Sequence, residues 1–324
     1  MTTIERGLVS MTHMKHGVFL NQKNSLCSIY ETGRIIKDIL KGHSDDYSID
    51  YFEVDSKLTG FNWYNYDFYI INWHPHTLTI KKELLDRMQG KKIAIIVEVD
   101  EHDYNPFTPE WFDAYMTIDP TKERKGSYFP FPRPIQQSPT LPLLSDSKLV
   151  LGSFGLFSHK FQDEKRFGEV VEAANNCGGE AIVRINLPMA SFTYTSMAEI
   201  NAYGDKLRGM AKPNVDLRIT KSYFDRDDLV AWLSEHTMNC FPYYRNRPGL
   251  AAVTDQAIAA GRAIMTTECN TFRHIHQYIN HYPKQSYIDL SLTTPTGVRA
   301  MQADWSPDNF RKEFHNMLTE MKIL

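Results

Sequence analysis

Apolar and polar positions alternate along the chain in two rhythms that take turns. Short, densely apolar runs at residues 16–20, 47–54, 68–73, 93–99 and 112–118 have strand length, and the run at 93–99 is apolar enough for a strand covered on both faces. Between the first two lies residues 28–40, where Ile29, Ile36, Ile39 and Leu40 repeat at the helical period. A proline-marked passage at 128–134 leads into residues 136–147, rich in Ser and Pro, which predicts an extended linker.

The alternation then resumes. Strands are expected at 149–157, 181–185, 215–219, 238–241 and 263–265, separated by helices at 166–175, 198–210, 227–235 and 250–260. In the last of these, Leu250, Val253, Ala257 and Ile258 form an inward face, and Gly261 ends it. Ser306 and Pro307 open a final helix with Phe310, Phe314, Met317, Leu318 and Met321 on one side. Repeated strand–helix–strand order predicts parallel sheets, and 324 residues are enough for two domains.

Composition narrows the function classes. A net charge of −3 gives no basic footprint for nucleic acid. Cys27, Cys177, Cys240 and Cys269 are widely spaced with no Cys-x-x-Cys pair, which fits reduced thiols in a cytoplasmic chain better than a disulfide frame or zinc site. No apolar run approaches the ~18 residues of a membrane span. Residues 1–16 also lack the apolar core of a signal peptide, so any membrane contact is expected to be peripheral.

Candidate chemistry gathers at the ends of the expected strands, where open α/β sheets bind ligands. Before the helix at 250–260, Arg245, Arg247 and Gly249 stand beside free backbone N–H groups, an arrangement suited to an anion. Asp255, inside that helix, is placed to take the hydroxyls of a ribose, so the pair of features reads as a nucleotide site; solvated loop charges and an exposed helix carboxylate fit the same residues. Asn21 and Asn24 follow the first strand, as acceptor contacts or as an ordinary polar turn. His74 and His76 follow the third. A His-x-His pair with no neighbouring carboxylate predicts no metal, and substrate contact is the expectation for it. Glu98, Asp100, His102 and Asp103 crowd the end of the fourth strand. Asp225 to Asp228, immediately before a helix, are read as capping residues.

Several of these stretches resemble the retaining glycosyltransferases of GT-B architecture, in particular the large family related to sucrose and glycogen synthases. The resemblance is carried by Phe241-Pro242, Pro248-Gly249 and Ala260-Gly261-Arg262-Ala263-Ile264, and by Gly152-Ser153-Phe154-Gly155 followed by His159-Lys160. It is strongest over residues 149–275. Two departures stand out: the family's paired glutamates fall on Arg247 and Asp255, and Leu156 occupies the place of a phosphate-binding arginine. Arg247 can replace that missing charge, or can face the carboxylate of an anionic sugar.

The resemblance implies two Rossmann-like domains facing across a cleft. Residues 1–147 would form the acceptor side, 148–305 the nucleotide-sugar domain, and 306–324 a helix packing back on the first. It implies Gly152, Ser153, Gly155, His159, Lys160, Arg245, Arg247, Gly249 and Asp255 at the donor. His102, flanked by Asp100 and Asp103, would contact the sugar, with Asn21, Asn24, His74 and His76 toward the acceptor. The implied reaction moves a sugar from a nucleotide-diphosphate sugar to the hydroxyl of a glycan, lipid-linked sugar or small molecule. It proceeds with retention, with no metal and no cofactor besides the co-substrate. The lost glutamate at Arg247 also motivates a non-catalytic binding protein of the same fold. A nucleotide-sugar epimerase would need a carboxylate pair that Asp255 alone does not provide, and no Gly-x-Gly-x-x-Gly marks a dehydrogenase.

Overall fold

The computed structural model describes residues 14–23, 27–42, 44–62, 65–100, 102–103, 109–136, 148–157, 162–189, 195–245, 248–279 and 295–324. Its first sheet contains β1 (Lys15–Gln22), β2 (Tyr47–Val54), β3 (Phe68–Ile71), β4 (Lys91–Ile96), β5 (Ala114–Thr117) and β6 (Tyr128–Pro130). They lie in the order β2-β1-β3-β4-β5-β6, every neighbouring pair parallel. Helices α1 (Ser28–Leu40) and α2 (Lys82–Leu85) connect them. The second sheet contains β7 (Leu149–Phe154), β8 (Ala181–Asn186), β9 (Val215–Thr220), β10 (Met238–Phe241) and β11 (Ala263–Thr266). Its order is β11-β10-β7-β8-β9, again all parallel. Helices α3 (Gln162–Lys165), α4 (Phe167–Asn175), α5 (Met197–Met210), α6 (Arg226–Ser234) and α7 (Val253–Ala259) accompany it. Then come α8 (Pro295–Asp304) and α9 (Pro307–Glu320). The architecture is α/β with two Rossmann-like sheets.

Alternate residues of each strand enter different cores, as period 2 requires. Val18, Leu20, Tyr69 and Ile71 pack on one face of the first sheet, and Phe19, Phe68 and Ile70 on the other. The second face is completed by α9, whose Phe310, Phe314, Met317 and Leu318 are buried in it; Phe314 meets Tyr47 edge-on at 5.5 Å. Ser306 caps this helix by accepting from the Asn309 N–H, with Pro307 in its first turn. Asp225 caps α6 in the same manner. No helix among the described residues is long and apolar enough to cross a membrane.

Two expectations change. The helix expected at 250–260 begins only at Val253: Gly249 takes φ of +95°, outside the helical region, its carbonyl accepts from Thr271 Oγ1, and the Gly249 and Ala251 N–H groups donate to Val99 O and Thr271 O. Asn21 and Gln22, expected in a loop, instead continue β1, paired with Glu53 and Val54 of β2 and buried.

The domains are joined by charged contacts, of which the Arg133 and Arg273 pairs have little access to water and the Arg226 pair is partly exposed. Arg133 and Asp255 form a forked ion pair, Arg133 also donating to Ile118 O at 2.8 Å. Arg273 reaches Asp119 and donates to Val99 O at 2.8 Å. Arg226 of α6 pairs with Asp38 of α1 at 2.8 Å.

Candidate functional site

Strand order reverses between β7 and β10 in the second sheet, so the helical connections diverge there and leave a crevice at the carboxyl ends of those strands. A cavity of about 300 Å³ occupies it. Gly155 and Leu156 follow β7 into its wall, and Tyr243 and Arg245 follow β10. Ala252, Val253 and Gln256 contribute the start of α7, while Pro188, Tyr223 and Phe224 supply a flatter, more apolar end. Ser28 and Glu31 of α1 close it from the first domain, so the cavity belongs to the cleft between the two sheets.

Lys165, at the end of α3, is its most distinctive group. The ammonium donates to Leu156 O and stands 5.7 Å from the centre of the Tyr243 ring. Burial, reinforced by the Arg245 charge, brings its pKa down to about 7. The charge of the adjacent Glu164 works the other way and is the smallest of the three influences. Gly155 makes room for it: a Cβ there would lie 2.5 Å from Tyr243 Oη and 2.6 Å from Lys165 Nζ. Lys165 and Arg245 thus line one cavity whose wall carries no side chain at Gly155, an arrangement able to receive an anion.

Beyond Arg245 the cleft meets the first domain. Its Nη2 lies 4.0 Å from Glu98 Oε1, and Glu98 Oε2 accepts from His74 Nε2 at 3.2 Å. Gly249 packs against Glu98 with φ of +95°, a conformation that favours glycine. Burial works to raise the Glu98 pKa, but the His74 hydrogen bond and the charges of His74, Arg245 and His76 outweigh it and hold the carboxyl below its ordinary value. A carboxylate does therefore neighbour the His-x-His pair. Among the described residues, however, no three His, Cys, Asp or Glu side chains gather into a group able to hold a metal ion.

The expected site residues are distributed unevenly around this geometry. Gly155 and Arg245 line the cavity, Gly249 contacts Glu98, and His74 holds Glu98, with the exposed His76 donating its N–H to His74 Nδ1. Asp255 is 3% exposed and both its oxygens are taken by Arg133, so it is a bridge between domains and faces no ribose; the adjacent Gln256 lines the cavity instead. Gly152 lies inside β7, where a Cβ would overlap the His236 ring, and Ser153 is fully buried with its Oγ lacking a hydrogen-bond partner among the described residues; neither lines the cavity. Asn21 is also fully buried: its amide donates to Tyr30 O and Tyr51 Oη and its oxygen accepts from Asn72, tying β1 to α1, to β2 and to the residue after β3 and leaving nothing for an acceptor. Asp100 accepts the His102 N–H in a turn closed by Asp100 N–H to Asp103 O; His102 and Asp103 are exposed there and do not line the cavity. Asn24, His159, Lys160 and Arg247 lie outside the described residues.

Lys165 and Glu98 are the groups that motif reasoning passed over. The motif puts the phosphate-binding role on His159-Lys160, which lies outside the described residues, while Lys165, five residues on, lines the cavity. A signal for Glu98 was present, since it is a lone carboxylate closing an apolar run whose other members are buried.

No protein-family model matches the chain, and none of the curated proteins is recognisably similar to it in sequence. Solved structures do share its shape. Anabaena Alr3699/HepE in complex with UDP-glucose aligns over 96% of this chain and all of its own, with a TM-score of 0.59 and 11% identity. Trehalose-6-phosphate synthase OtsA aligns over 95% and 99% of the two chains, with a TM-score of 0.59 and 9% identity. An alpha-glucosyltransferase in complex with UDP and a 13-mer DNA containing an HMU base aligns over 95% and 96%, with a TM-score of 0.55 and 10% identity. These likenesses, with the two facing parallel sheets, define the fold: it is GT-B, the two-domain architecture of these glycosyltransferases, in a sequence that has diverged far from them.

Proposed function

We propose that the protein is a glycosyltransferase that moves a sugar from a nucleotide-diphosphate sugar to an acceptor hydroxyl. The observation that carries this reading is that Lys165, set against Gly155, and Arg245 line one cavity at the switch point of the second sheet. A diphosphate bound there would restore to Lys165 the charge that burial opposes, and the flat surfaces of Pro188, Tyr223 and Phe224 would receive the base. HepE, which shares the fold, was solved with UDP-glucose and with UDP.

In this reading the bond from C1 of the sugar to the diphosphate oxygen breaks and its electron pair leaves with the diphosphate. Lys165 and Arg245 take up the developing charge, the task a divalent ion would otherwise perform, so the reaction proceeds without metal. The acceptor oxygen bonds to C1 on the same face, and its proton passes to the departing phosphate oxygen. Configuration is retained and no protein nucleophile is consumed. A cytoplasmic location belongs to the proposal, in keeping with four widely spaced cysteines and no Cys-x-x-Cys pair.

One observation favours a second reading, nucleotide-sugar binding without turnover: Asp255, at the place of one family glutamate, is committed to Arg133, and the other place is held by Arg247. One assay separates them. Nucleotide sugars incubated with the protein and EDTA are followed by NMR; a product with the anomeric configuration of the donor supports the transferase. Binding without product supports the second reading, and an inverted product overturns the retaining mechanism.

A further inference from the structure

We infer that Glu98 is the carboxylate that engages the donor sugar, that His74 positions it, and that the sugar is an uncharged hexose offering hydroxyls to it. The inference rests on the nucleotide-sugar reading above and deepens it. Arg245 belongs to both environments: it lines the cavity beside Lys165, and its Nη2 is 4.0 Å from Glu98 Oε1. A diphosphate held by Arg245 therefore presents its next group to Glu98.

Three contacts fix the carboxylate there. His74 donates to Oε2 from the end of β3, Gly249 of the second domain lies against the Glu98 backbone and stem, and the Gly249 N–H holds Val99, the next residue, through its carbonyl. His74 Nδ1 in turn accepts the His76 N–H, which leaves Nε2 as the donor toward Glu98. With both ring nitrogens occupied, His74 orients Glu98.

The alternatives are otherwise engaged. Asp255 is sealed with Arg133, and Glu31, the carboxylate that lines the cavity from α1, is 3.4 Å from Arg34. Positive charge gathers on the sugar ring as the diphosphate leaves, and an ionised carboxylate favours that state while accepting hydroxyl hydrogen bonds. A sugar bearing its own carboxylate would meet Glu98 with like charge. The Glu98 position thus argues against the anionic sugar that Arg247 invited.

The test uses the full chain with UDP, ADP and GDP, their glucose conjugates, and the glucuronate of whichever nucleotide binds best. Two quantities are read: the Kd of the nucleoside diphosphate, and its release from the conjugate to water. In that release, water oxygen bonds to C1, the bond to the diphosphate breaks with its electrons on the diphosphate, and the water proton is lost to it. Glu98→Gln is expected to lower kcat for release by about a hundredfold, ~2.7 kcal/mol, while the nucleoside diphosphate Kd stays within about twofold. The glucuronate is expected to be a poorer substrate than the glucose conjugate for the wild type, with the gap narrowed in Glu98→Gln.

For His74, Ala is expected to lower kcat and to shift the acid limb of the pH profile upward, because Glu98 loses its donor and keeps only Arg245 and His76 beside it. Gln, which retains an N–H donor, is expected to restore part of both. A wild type that binds none of the three diphosphates removes the nucleotide reading, and this inference with it. Binding of a diphosphate without release from its glucose conjugate, release by Glu98→Gln within about threefold of wild type, or preference for the glucuronate overturns the inference and leaves that reading standing.

Discussion

Arg133 and Asp255, 122 residues apart in sequence, meet in a forked ion pair: Nε donates to Oδ1 at 2.9 Å and Nη2 to Oδ2 at 2.5 Å, with Arg133 wholly buried and Asp255 nearly so. The arginine belongs to the passage after β6 and the aspartate to α7, so the pair joins the first domain to the helix beside the cavity. Removing one partner strands a buried charge. Asp255→Ala is expected to cost about 3–5 kcal/mol in chemical denaturation, and the double replacement Arg133→Met with Asp255→Leu to recover most of it. Nucleotide affinity of that double variant is expected to change less than tenfold, ~1.4 kcal/mol. A larger loss would return Asp255 to the ligand.

Lys165 makes donor affinity depend on pH. Its pKa in the free protein is about 7, and a bound diphosphate favours the ammonium. Below pH 7 the lysine is already charged and Kd is flat. Above it, binding must take up a proton, so Kd rises by up to about tenfold per pH unit until the pKa of the complex is reached. A nucleotide sugar is the suitable ligand, because its diphosphate has no ionisation near neutrality. Calorimetry from pH 6 to 9 should show the rise in the wild type and its absence in Lys165→Met. The same depressed pKa means the unfolded chain binds more protons between about 7 and 10.5, so this group's contribution to stability increases with pH across that window.

Gly155→Ala tests the shape of the cavity. The added methyl would lie 2.5 Å from Tyr243 Oη and 2.6 Å from Lys165 Nζ, displacing the ammonium from Leu156 O. Loss of nucleotide binding by about tenfold or more, with the circular dichroism spectrum intact, is expected. Unchanged affinity would place the diphosphate elsewhere.

Phe314 tests how far α9 supports the first domain. It is fully buried among Phe19, Phe68 and Tyr47. Phe314→Ala should cost about 3–5 kcal/mol of stability, read from denaturant midpoints.

The fold was legible because it is written in local pattern. The spacing of Ile29, Ile36, Ile39 and Leu40 predicts a helix over 28–40, and α1 spans those residues; the apolar runs at 47–54 and 238–241 coincide with β2 and β10. The site was less legible because its contacts are not local. Nothing near Asp255 announces Arg133, and an acidic residue in a helix after an arginine-rich loop reads as a ligand until its partner is seen. Glu98 and His74 close two neighbouring strands and meet only once β3 and β4 pair. The α7 start lies later than the pattern predicts because Gly249, at φ of +95° and with its carbonyl accepting from the distant Thr271 Oγ1, holds the residues before Val253 in a loop.

The most direct measurement is isothermal titration of UDP, GDP and ADP into the wild type and into Lys165→Met, all in EDTA. The account predicts that one of the three binds the wild type without metal and binds Lys165→Met at least about tenfold more weakly. Binding of none of them, or equal binding to both proteins, would contradict it.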